Sequence, residues 1–310
     1  MEAPDHSLFK KEDKVDSFKI LLSFALVYII WGSTYIAIKF ALQSFQPFFM
    51  GGIRFTFAGL LMCLVAIFRG ERPPQMKELV SATILGTLLL VFGSTGVALA
   101  EKTVATGLVS LLVTSVPIYI VLLQWLFSGK RPSGKTWLGL FMGIVGLSLL
   151  LDLDSLDKDG QVDLFGAACV LVGAFGSACG AIYTRKAVNH PSQVYSVGMQ
   201  MLAAGLILFL LSCLTGESGH SWSALANAKG EAWLALAYLA VFGSIVAFSA
   251  YVYLLQNVTP SRVATYAYVN PIVAVFLGWL WNGEAFTPRV LLSGLTVLFT
   301  VWLINTARRA

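Results

Sequence analysis

The stretch SRVATYAYVNPIVAVFLGWLWNGE, residues 261–284, places an asparagine and a proline at the centre of an otherwise apolar segment. Pro271 lacks a backbone N–H and crowds the carbonyl four residues earlier, which costs a helix interior about 3 kcal/mol. Asn270 adds an amide that requires hydrogen bonds among apolar neighbours. The rest of the chain explains why both residues stand at this place.

The composition excludes a soluble protein. Apolar residues make up 57% of the 310 positions and charged residues only 12%, with a mean hydropathy of +0.78. Hydrophobic stretches of a length that crosses the ~30 Å hydrocarbon core recur along the chain. They are residues 18–38, 48–68, 79–99, 104–127, 135–151, 163–184, 193–215, 231–255, 261–282 and 288–306. The sequence therefore predicts an all-α polytopic membrane protein with ten transmembrane helices.

The distribution of basic residues predicts the orientation. Of the 21 Lys and Arg residues, 15 fall on segments that share a side with the N-terminus and five on the opposite side. Because an excess of Lys and Arg marks the cytoplasmic side, we expect both termini in the cytoplasm of a bacterial inner membrane. Residues 1–17 would then form a solvated cytoplasmic tail, and no pattern indicates nucleic-acid binding.

Four short motifs recur in the same order in the two halves of the chain. The pairs are Gly32-Ser33 with Gly176-Ser177, Ala58-Gly59-Leu60 with Ala204-Gly205-Leu206, Val91-Phe92-Gly93-Ser94 with Val241-Phe242-Gly243-Ser244, and Pro117-Ile118 with Pro271-Ile272. The offset grows slowly from 144 to 154 residues, which chance matches would not produce. We infer two five-helix repeats, residues 18–152 and 163–307. Five is odd, so the second repeat is inverted, as in transporters with a site near the bilayer midplane.

The repeat makes Pro117 and Pro271 equivalent, each near the middle of its helix. Each proline frees a backbone carbonyl one turn earlier and weakens its helix at mid-depth. Polar residues follow both helices at i, i+4 and i+8: Thr106, Ser110 and Thr114 on one, and Arg262, Tyr266 and Asn270 on the other. One interpretation is a pair of bendable helices beside a polar cavity. The alternative is two packing kinks with locally satisfied carbonyls.

The segments YIIWGSTYIAIKFAL (28–42), RFTFAGLL (54–61), VFGS and YAYVNPIVAVFLGWLWNGE (266–284) resemble the ten-helix EamA family of the drug/metabolite transporter superfamily, YedA-like permeases in particular. The resemblance covers roughly residues 20–307. It implies that helices 1–4 and 6–9 surround a central cavity, with helices 5 and 10 outside it. It also implies proton- or gradient-coupled export of small metabolites, and it does not name the substrate.

Aromatic and cationic residues share one face of the first hydrophobic stretch. Trp31, Tyr35 and Lys39 follow one another at i, i+4 and i+8. Two flat rings and a cation would suit an amphipathic zwitterion or anion. The alternative is an interfacial aromatic with a snorkelling lysine, which explains Lys39 but not Trp31 at mid-helix.

Arg54 lies about two turns inside the second stretch, where an arginine faces the protein interior or water and usually has a partner. Glu101, at the end of the third stretch, is the candidate partner by topology. The pair would be an outer gate or a proton-linked pair; the alternative is a static structural pair. Gln200 is the repeat equivalent of Arg54.

The predicted cavity residues are Trp31, Tyr35, Lys39, Arg54, Ser110, Thr114, Gln200, Tyr266 and Asn270, and the predicted gating residues are Glu101, Pro117 and Pro271. The motif GKRPSGKT (129–136) matches a phosphate-binding loop in letters, but a membrane helix precedes it where a strand is required. We expect no catalytic residue, metal or cofactor. The four cysteines and three histidines lack the spacing of a metal site.

These features favour a secondary transporter that exports small metabolites by alternating access. Amino acids or related amphipathic compounds are the expected cargo, drugs are a further candidate class, and protons are a candidate coupling ion. The protein would be a monomer or a weak homodimer in the lipid bilayer. The alternatives are an intramembrane enzyme and a membrane receptor, but the sequence has no HExxH, no GxSxG and no intramembrane carboxylate pair.

Overall fold

The computed structural model describes residues 17–104, 106–129, 131–149, 163–282 and 288–306, and all regular structure in these ranges is helical. The predicted tail up to residue 16 and the acidic segment 150–162 lie outside the described residues. The fold class is therefore all-α, as the hydrophobic stretches predict.

The helices follow the predicted stretches closely. They are α1 Ser17–Leu42, α2 Pro47–Phe68, α3 Met76–Ala100, α4 Thr106–Val113, α5 Ser115–Ser128, α6 Gly134–Ser148, α7 Leu164–Tyr183, α8 Gln193–Leu214, α9 Glu217–Asn227, α10 Gly230–Asn257, α11 Pro260–Val263, α12 Tyr266–Asn282 and α13 Pro288–Thr306.

Six of the described helices are long and apolar enough to cross a membrane: α1, α2, α3, α7, α8 and α10. Two shorter apolar segments, Ser115–Phe127 and Leu291–Ile304, lie within α5 and α13. The structure thus supports a polytopic membrane protein with six membrane-competent spans. Ten spans and their inversion stay predictions.

The polar helix α9 is a feature that hydropathy does not predict. Its first residue, Glu217, reaches the start of α2, where Oε2 accepts hydrogen bonds from the backbone N–H groups of Phe48 (2.9 Å) and Phe49 (3.3 Å). These N–H groups have no partner within their own helix, and a carboxylate also complements the helix dipole. α9 therefore caps α2 across 169 residues of sequence.

Helices α2 and α8 cross at glycines that the repeat motif makes equivalent. A Cβ atom on Gly59 would lie closer than 3.0 Å to the backbone of Gly198 and Leu202, and one on Gly205 would meet the backbone of Thr56 equally closely. Small residues let membrane helices approach until their backbones touch. The Ala-Gly-Leu motifs therefore mark the crossing of these two helices.

Glycines on α6 and α7 also allow close packing against other helices of the same chain. Gly173, Gly176 and Gly180 of α7 face α3, where a Cβ would collide with Phe92 or Leu89. On α6, Gly139 packs against Ile304 of α13 and Gly143 against the ring of Tyr268 in α12. The GxxxG pattern of α6, a candidate dimer contact by sequence, thus serves packing inside the molecule.

The GKRPSGKT segment connects two helices. Gly129 ends α5 with a left-handed φ of +68°, and Gly134 begins α6. Ser133 accepts a hydrogen bond from the backbone N–H of Thr136 (3.2 Å), as residues that precede a helix often do. The helix α5 occupies the place where a phosphate-binding loop requires a strand, so the letter match carries no nucleotide site.

The glycine crossing predicts that Gly59→Ala destabilises the protein. The new methyl group meets backbone atoms of α8, which cannot turn away, so we expect a loss of about 1–3 kcal/mol. Thermal unfolding of the purified protein in detergent measures it. Gly134→Ala is the control, because its Cβ would have nothing within 4 Å. Equal unfolding temperatures for both variants would contradict the close approach.

Candidate functional site

Two membrane-competent helices change locally from α to π geometry. In α3 the π segment is Thr87–Phe92, and in α10 it is Leu239–Val246. The repeated letters VFGS fall at the end of the first and inside the second. Because π turns shift backbone hydrogen bonds and are frequent at functional sites, they indicate where to search for one.

Side chains donate hydrogen bonds to two carbonyls of the second π segment. The indole N–H of Trp31 in α1 donates to the carbonyl of Gly243 (3.1 Å). The hydroxyl of Ser244 donates to the carbonyl of Leu239, five residues earlier (3.0 Å). Because backbone polar groups within a bilayer must be satisfied inside the protein, these two bonds help to stabilise the irregular backbone at this depth.

Arg54 of α2 lies against the same π segment. Its side chain is 6% exposed, its Nε donates to Ser244 Oγ (2.7 Å), and its guanidinium lies 4.8 Å from the centre of the Phe55 ring. A Cβ on Gly243 would be 2.9 Å from Nη2, so a glycine at this position leaves room for the guanidinium. The arginine is thus fixed on three sides.

These groups line a cavity of about 120 Å³ between the two halves of the chain. The cavity is large enough for several waters or a small solute. Its lining comes from α1, α2, α3, α4, α5, α7, α10 and α12. Among the described residues, α6, α8 and α13 add nothing to it.

Three aromatic rings form one wall of the cavity. The ring centres of Trp31 and Tyr251 are 4.9 Å apart, those of Trp31 and Tyr266 5.0 Å, and those of Tyr251 and Tyr266 5.5 Å. Tilted and edge-to-face pairs at such distances add about 0.5–1.5 kcal/mol beyond area burial. The wall is therefore a closed cluster in which each ring contacts the other two.

Asn270 lines the cavity and also joins two helices. With its amide nitrogen oriented by the hydrogen-bonding pattern, Asn270 donates to the carbonyls of Tyr266 (3.1 Å) and Tyr28 (3.2 Å). The first carbonyl belongs to its own helix and the second to α1. The asparagine thus satisfies a carbonyl of its own helix and also joins α12 to α1.

The two prolines have different surroundings. Helix α12 continues through Pro271, whereas the helix that contains Pro117 is interrupted at Thr114, so that α5 starts at Ser115. Pro117 cannot donate to the carbonyl four residues earlier, which explains a break at this place. The helix is thus interrupted near Pro117 and not at Pro271. Neither proline belongs to the cavity lining.

Five of the predicted cavity residues line the cavity: Trp31, Tyr35, Arg54, Tyr266 and Asn270. Four others lie elsewhere: Lys39, Ser110, Thr114 and Gln200. Lys39 is exposed in the last turn of α1, as a snorkelling lysine would be. Val113 and Val116, on either side of the break at Thr114, line the cavity in place of the predicted hydroxyl stripe.

Gln200 differs from Arg54 in its surroundings, although the repeat makes them equivalent. It is completely buried on α8, where Gly86 of α3 packs against its backbone. The glutamine therefore lies in a helix contact and not in the cavity.

The predicted partnership of Arg54 and Glu101 is not what the structure shows. Glu101 follows the last turn of α3 and is 7% exposed. Within the described ranges no ion pair joins the two residues, and the hydrogen bond of Arg54 goes to Ser244. Ser244, from the second half of the chain, accepts the hydrogen bond of Nε in place of the predicted Glu101 carboxylate.

Sequence reasoning missed several lining residues, among them Thr34, Ser94, Ser177 and Tyr251. Signals existed for three of them. Ser94 and Ser177 belong to repeated motifs, and Tyr251 follows Gly243 at i+8, which predicts the same helix face. Nothing in the sequence distinguishes Thr34 from Ser33, whose hydroxyl points instead to Tyr238 (2.6 Å).

On both sides of Trp31, a hydrogen bond joins α1 to the second half of the chain. Toward the N-terminus, Tyr28 and Thr265 are joined through their hydroxyls (2.6 Å). Toward the C-terminus of the helix, Ser33 and Tyr238 are joined in the same way (2.6 Å). Both bonds connect the first half of the chain to the second.

In the described ranges no three His, Cys, Asp or Glu residues could share a metal.

The contact with Arg54 predicts that Ser244→Ala lowers stability. It removes the acceptor of a buried charged group, and hydrogen bonds to charged groups contribute about 1.5–3 kcal/mol. Thermal unfolding in detergent measures the loss. The matched control is Ser94→Ala, the same change in the other VFGS motif, since Ser94 is not a partner of Arg54. An equal effect of the two changes would show that the Arg54 contact contributes nothing.

Comparison with known proteins gives consistent relatives. The EamA-like transporter family matches residues 18–152 and 164–306. The uncharacterized inner membrane transporter YedA of Escherichia coli K12 is 36% identical over 286 residues, which cover 92% of this chain and 90% of YedA. The uncharacterized transporter YdfC of Bacillus subtilis is 25% identical over 93% of this chain and 92% of its own length.

A solved crystal structure has the same fold, with a TM-score of 0.72 and 18% identity over 94% of this chain and 99% of that chain. The family match covers most of the sequence, and the site lies among its membrane-competent helices. The chain belongs to the EamA-like transporter family, and it is a membrane protein of transporter type.

Proposed function

We propose that this protein is a secondary transporter that exports small metabolites, amino acids or related amphipathic compounds, by alternating access. The observation that carries the proposal is the cavity between membrane-competent helices, with one buried arginine, one amide and an aromatic wall. Such a combination of an apolar surface with few oriented polar groups is typical of small-molecule sites. Relatives that are named transporters support the same class.

The two halves, residues 18–152 and 163–307, act in this proposal as inverted repeats. Support comes from the contacts between them: α3 packs on α7, α10 packs on α1, and α2 crosses α8. Each π helix of one half thus lies against the first helix of the other. In an inverted pair, a rocking motion that opens one side closes the other.

Alternating access requires contacts that break on one side at a time. The hydroxyl pairs Tyr28–Thr265 and Ser33–Tyr238 lie on opposite sides of Trp31 and each joins the two halves. Helices can bend at the two π segments and at the break at Thr114, because regular α-helical hydrogen bonding is already interrupted at these places. Opening on either side would break one hydroxyl pair and leave the other.

The proposed location is the bacterial inner membrane, with both termini in the cytoplasm. Protons are the proposed coupling ion, and the working unit is a monomer or a weak homodimer. An intramembrane enzyme is the alternative class and a receptor a third. The described lining has no carboxylate pair for acid–base chemistry, which favours transport without catalysis.

The orientation predicts different accessibility of two engineered cysteines. In a variant without Cys63, Cys169, Cys179 and Cys213, Ser133→Cys should react with an impermeant maleimide only after the cells are opened. Ser218→Cys should react in intact spheroplasts. The reason is the positive-inside distribution of basic residues around the α5–α6 connection. Labelling of Ser133→Cys from outside would reverse the proposed topology.

Transport in proteoliposomes tests the function itself. Purified protein should catalyse counterflow of a labelled amino acid or other small metabolite without chemical change of the cargo. Pro271→Ala should keep cargo affinity and slow the rate, because a restored backbone hydrogen bond stiffens α12.

Asn270→Leu should weaken affinity, since it removes a polar group from the lining. Ser133→Ala in the α5–α6 connection is the control with unchanged flux. Wild-type rate and affinity in both variants would refute the role of this helix. Turnover of the cargo into product would favour the enzyme.

A further inference from the structure

The lining of the cavity has one charge. Arg54 is its only charged residue, and the described lining has no Asp, Glu, Lys or His. Arginine does not lose its proton in proteins, so the cavity is positive throughout a transport cycle. A charge of this kind at membrane depth is expensive and marks a site for a partner of opposite sign.

The guanidinium is oriented for a bidentate partner. Nε is used by Ser244 (2.7 Å), and the ring of Phe55 lies 4.8 Å from Cζ. No contact of Nε or of the ring uses the two Nη groups, and Arg54 lines the cavity; the glycine at position 243 lets Nη2 lie against α10 without a clash. Two parallel N–H donors on one edge match the two oxygens of a carboxylate.

The same described lining has no carboxylate to pair with an ammonium group. An aromatic cage binds a cation between or over its ring faces, within about 6 Å of the ring centres. Here the three rings of Trp31, Tyr251 and Tyr266 fill the space between them, with centres 4.9–5.5 Å apart. Two of the three pairs are edge-to-face and the third is tilted, so the cluster presents an apolar wall and not an open cage.

We propose that the cargo of this site is a small carboxylate with an apolar body and no ammonium group, bound with its carboxylate on Arg54 and its body against the aromatic wall. The inference rests on the proposed transport function and decides among its cargo classes. A zwitterionic amino acid would leave its ammonium without a charged partner, at the cost of a buried charge that only neutral groups solvate. A cation would in addition meet the charge of Arg54.

Equilibrium binding to the purified full-length protein tests the charge class. The probes are phenylacetate, its α-amino derivative phenylglycine, and its neutral amide phenylacetamide, which share one apolar body. Labelled phenylacetate should bind and both other compounds should compete at least roughly tenfold more weakly, since the charge-assisted bonds are lost or the ammonium is unpaired. Equal or better competition by phenylglycine or phenylacetamide overturns the inference, and so does the absence of phenylacetate binding.

Two variants test the role of Arg54. Arg54→Gln should weaken phenylacetate binding by roughly tenfold or more. Gly243→Ala keeps the charge but places a Cβ against Nη2, so it should also weaken binding while the protein stays monodisperse. The second variant keeps the test valid if Arg54→Gln does not fold. Arg69→Gln, an exposed arginine at the end of the same helix, is the control with wild-type binding.

Failure of this inference differs from failure of the transport function. Counterflow of a labelled amino acid that persists in Arg54→Gln would leave a transporter whose cargo is not recognised as an anion. Unchanged phenylacetate affinity in both Arg54→Gln and Gly243→Ala would likewise exclude the arginine as the binding group. Loss of all counterflow in the wild-type protein, with phenylacetate still bound, would instead refute the transport function and leave a carboxylate-binding membrane protein.

Discussion

Every backbone polar group within a bilayer must find its partner inside the protein, and this constraint determines where the molecule can depart from helix. The second π segment is such a departure, and its carbonyls at Leu239 and Gly243 are taken by Ser244 and Trp31. Ser244 also accepts from Arg54. The irregular backbone, the arginine and one edge of the aromatic wall are therefore parts of a single hydrogen-bonded unit, which a change in any of them would disturb.

Close backbone approach is the second physical requirement, because a small cavity between many helices needs helices that lie near one another. Gly59 and Gly205 allow α2 and α8 to touch, and Gly173 and Gly176 allow the same between α7 and α3. Glycine has no side chain to offer to cargo, so these positions shape the site from outside. In the described lining, Gly93 and Gly243 are the only glycines; Gly93 directly follows the first π segment and Gly243 lies within the second. Packing and site thus share the same repeated motifs.

The sequence predicted the fold class and the helix positions, because hydrophobic length is a strong signal in membranes. For the site, it predicted residues beside a recognisable irregularity, such as Asn270, which is next to Pro271 and lies in the lining. It failed at Ser110 and Thr114, because an i, i+4 spacing gives a shared helix face and not the direction in which that face points. It failed at Gln200, because equivalence in a repeat gives depth and not neighbours. The pairing of Arg54 with Ser244 across 190 residues carries no local pattern.

A buried arginine constrains the chemistry of the site more than the aromatic wall does. Removing one guanidinium from water costs several kcal/mol, and one neutral hydroxyl and one ring return only part of it. Burial is therefore least costly when an anion lies on the remaining edge of the guanidinium. In the proposed transport cycle, a partner that neutralises Arg54 would therefore stabilise the arrangement of helices in which Arg54 is buried. The reciprocal effect holds equally, so a state that exposes Arg54 to water binds that partner more weakly.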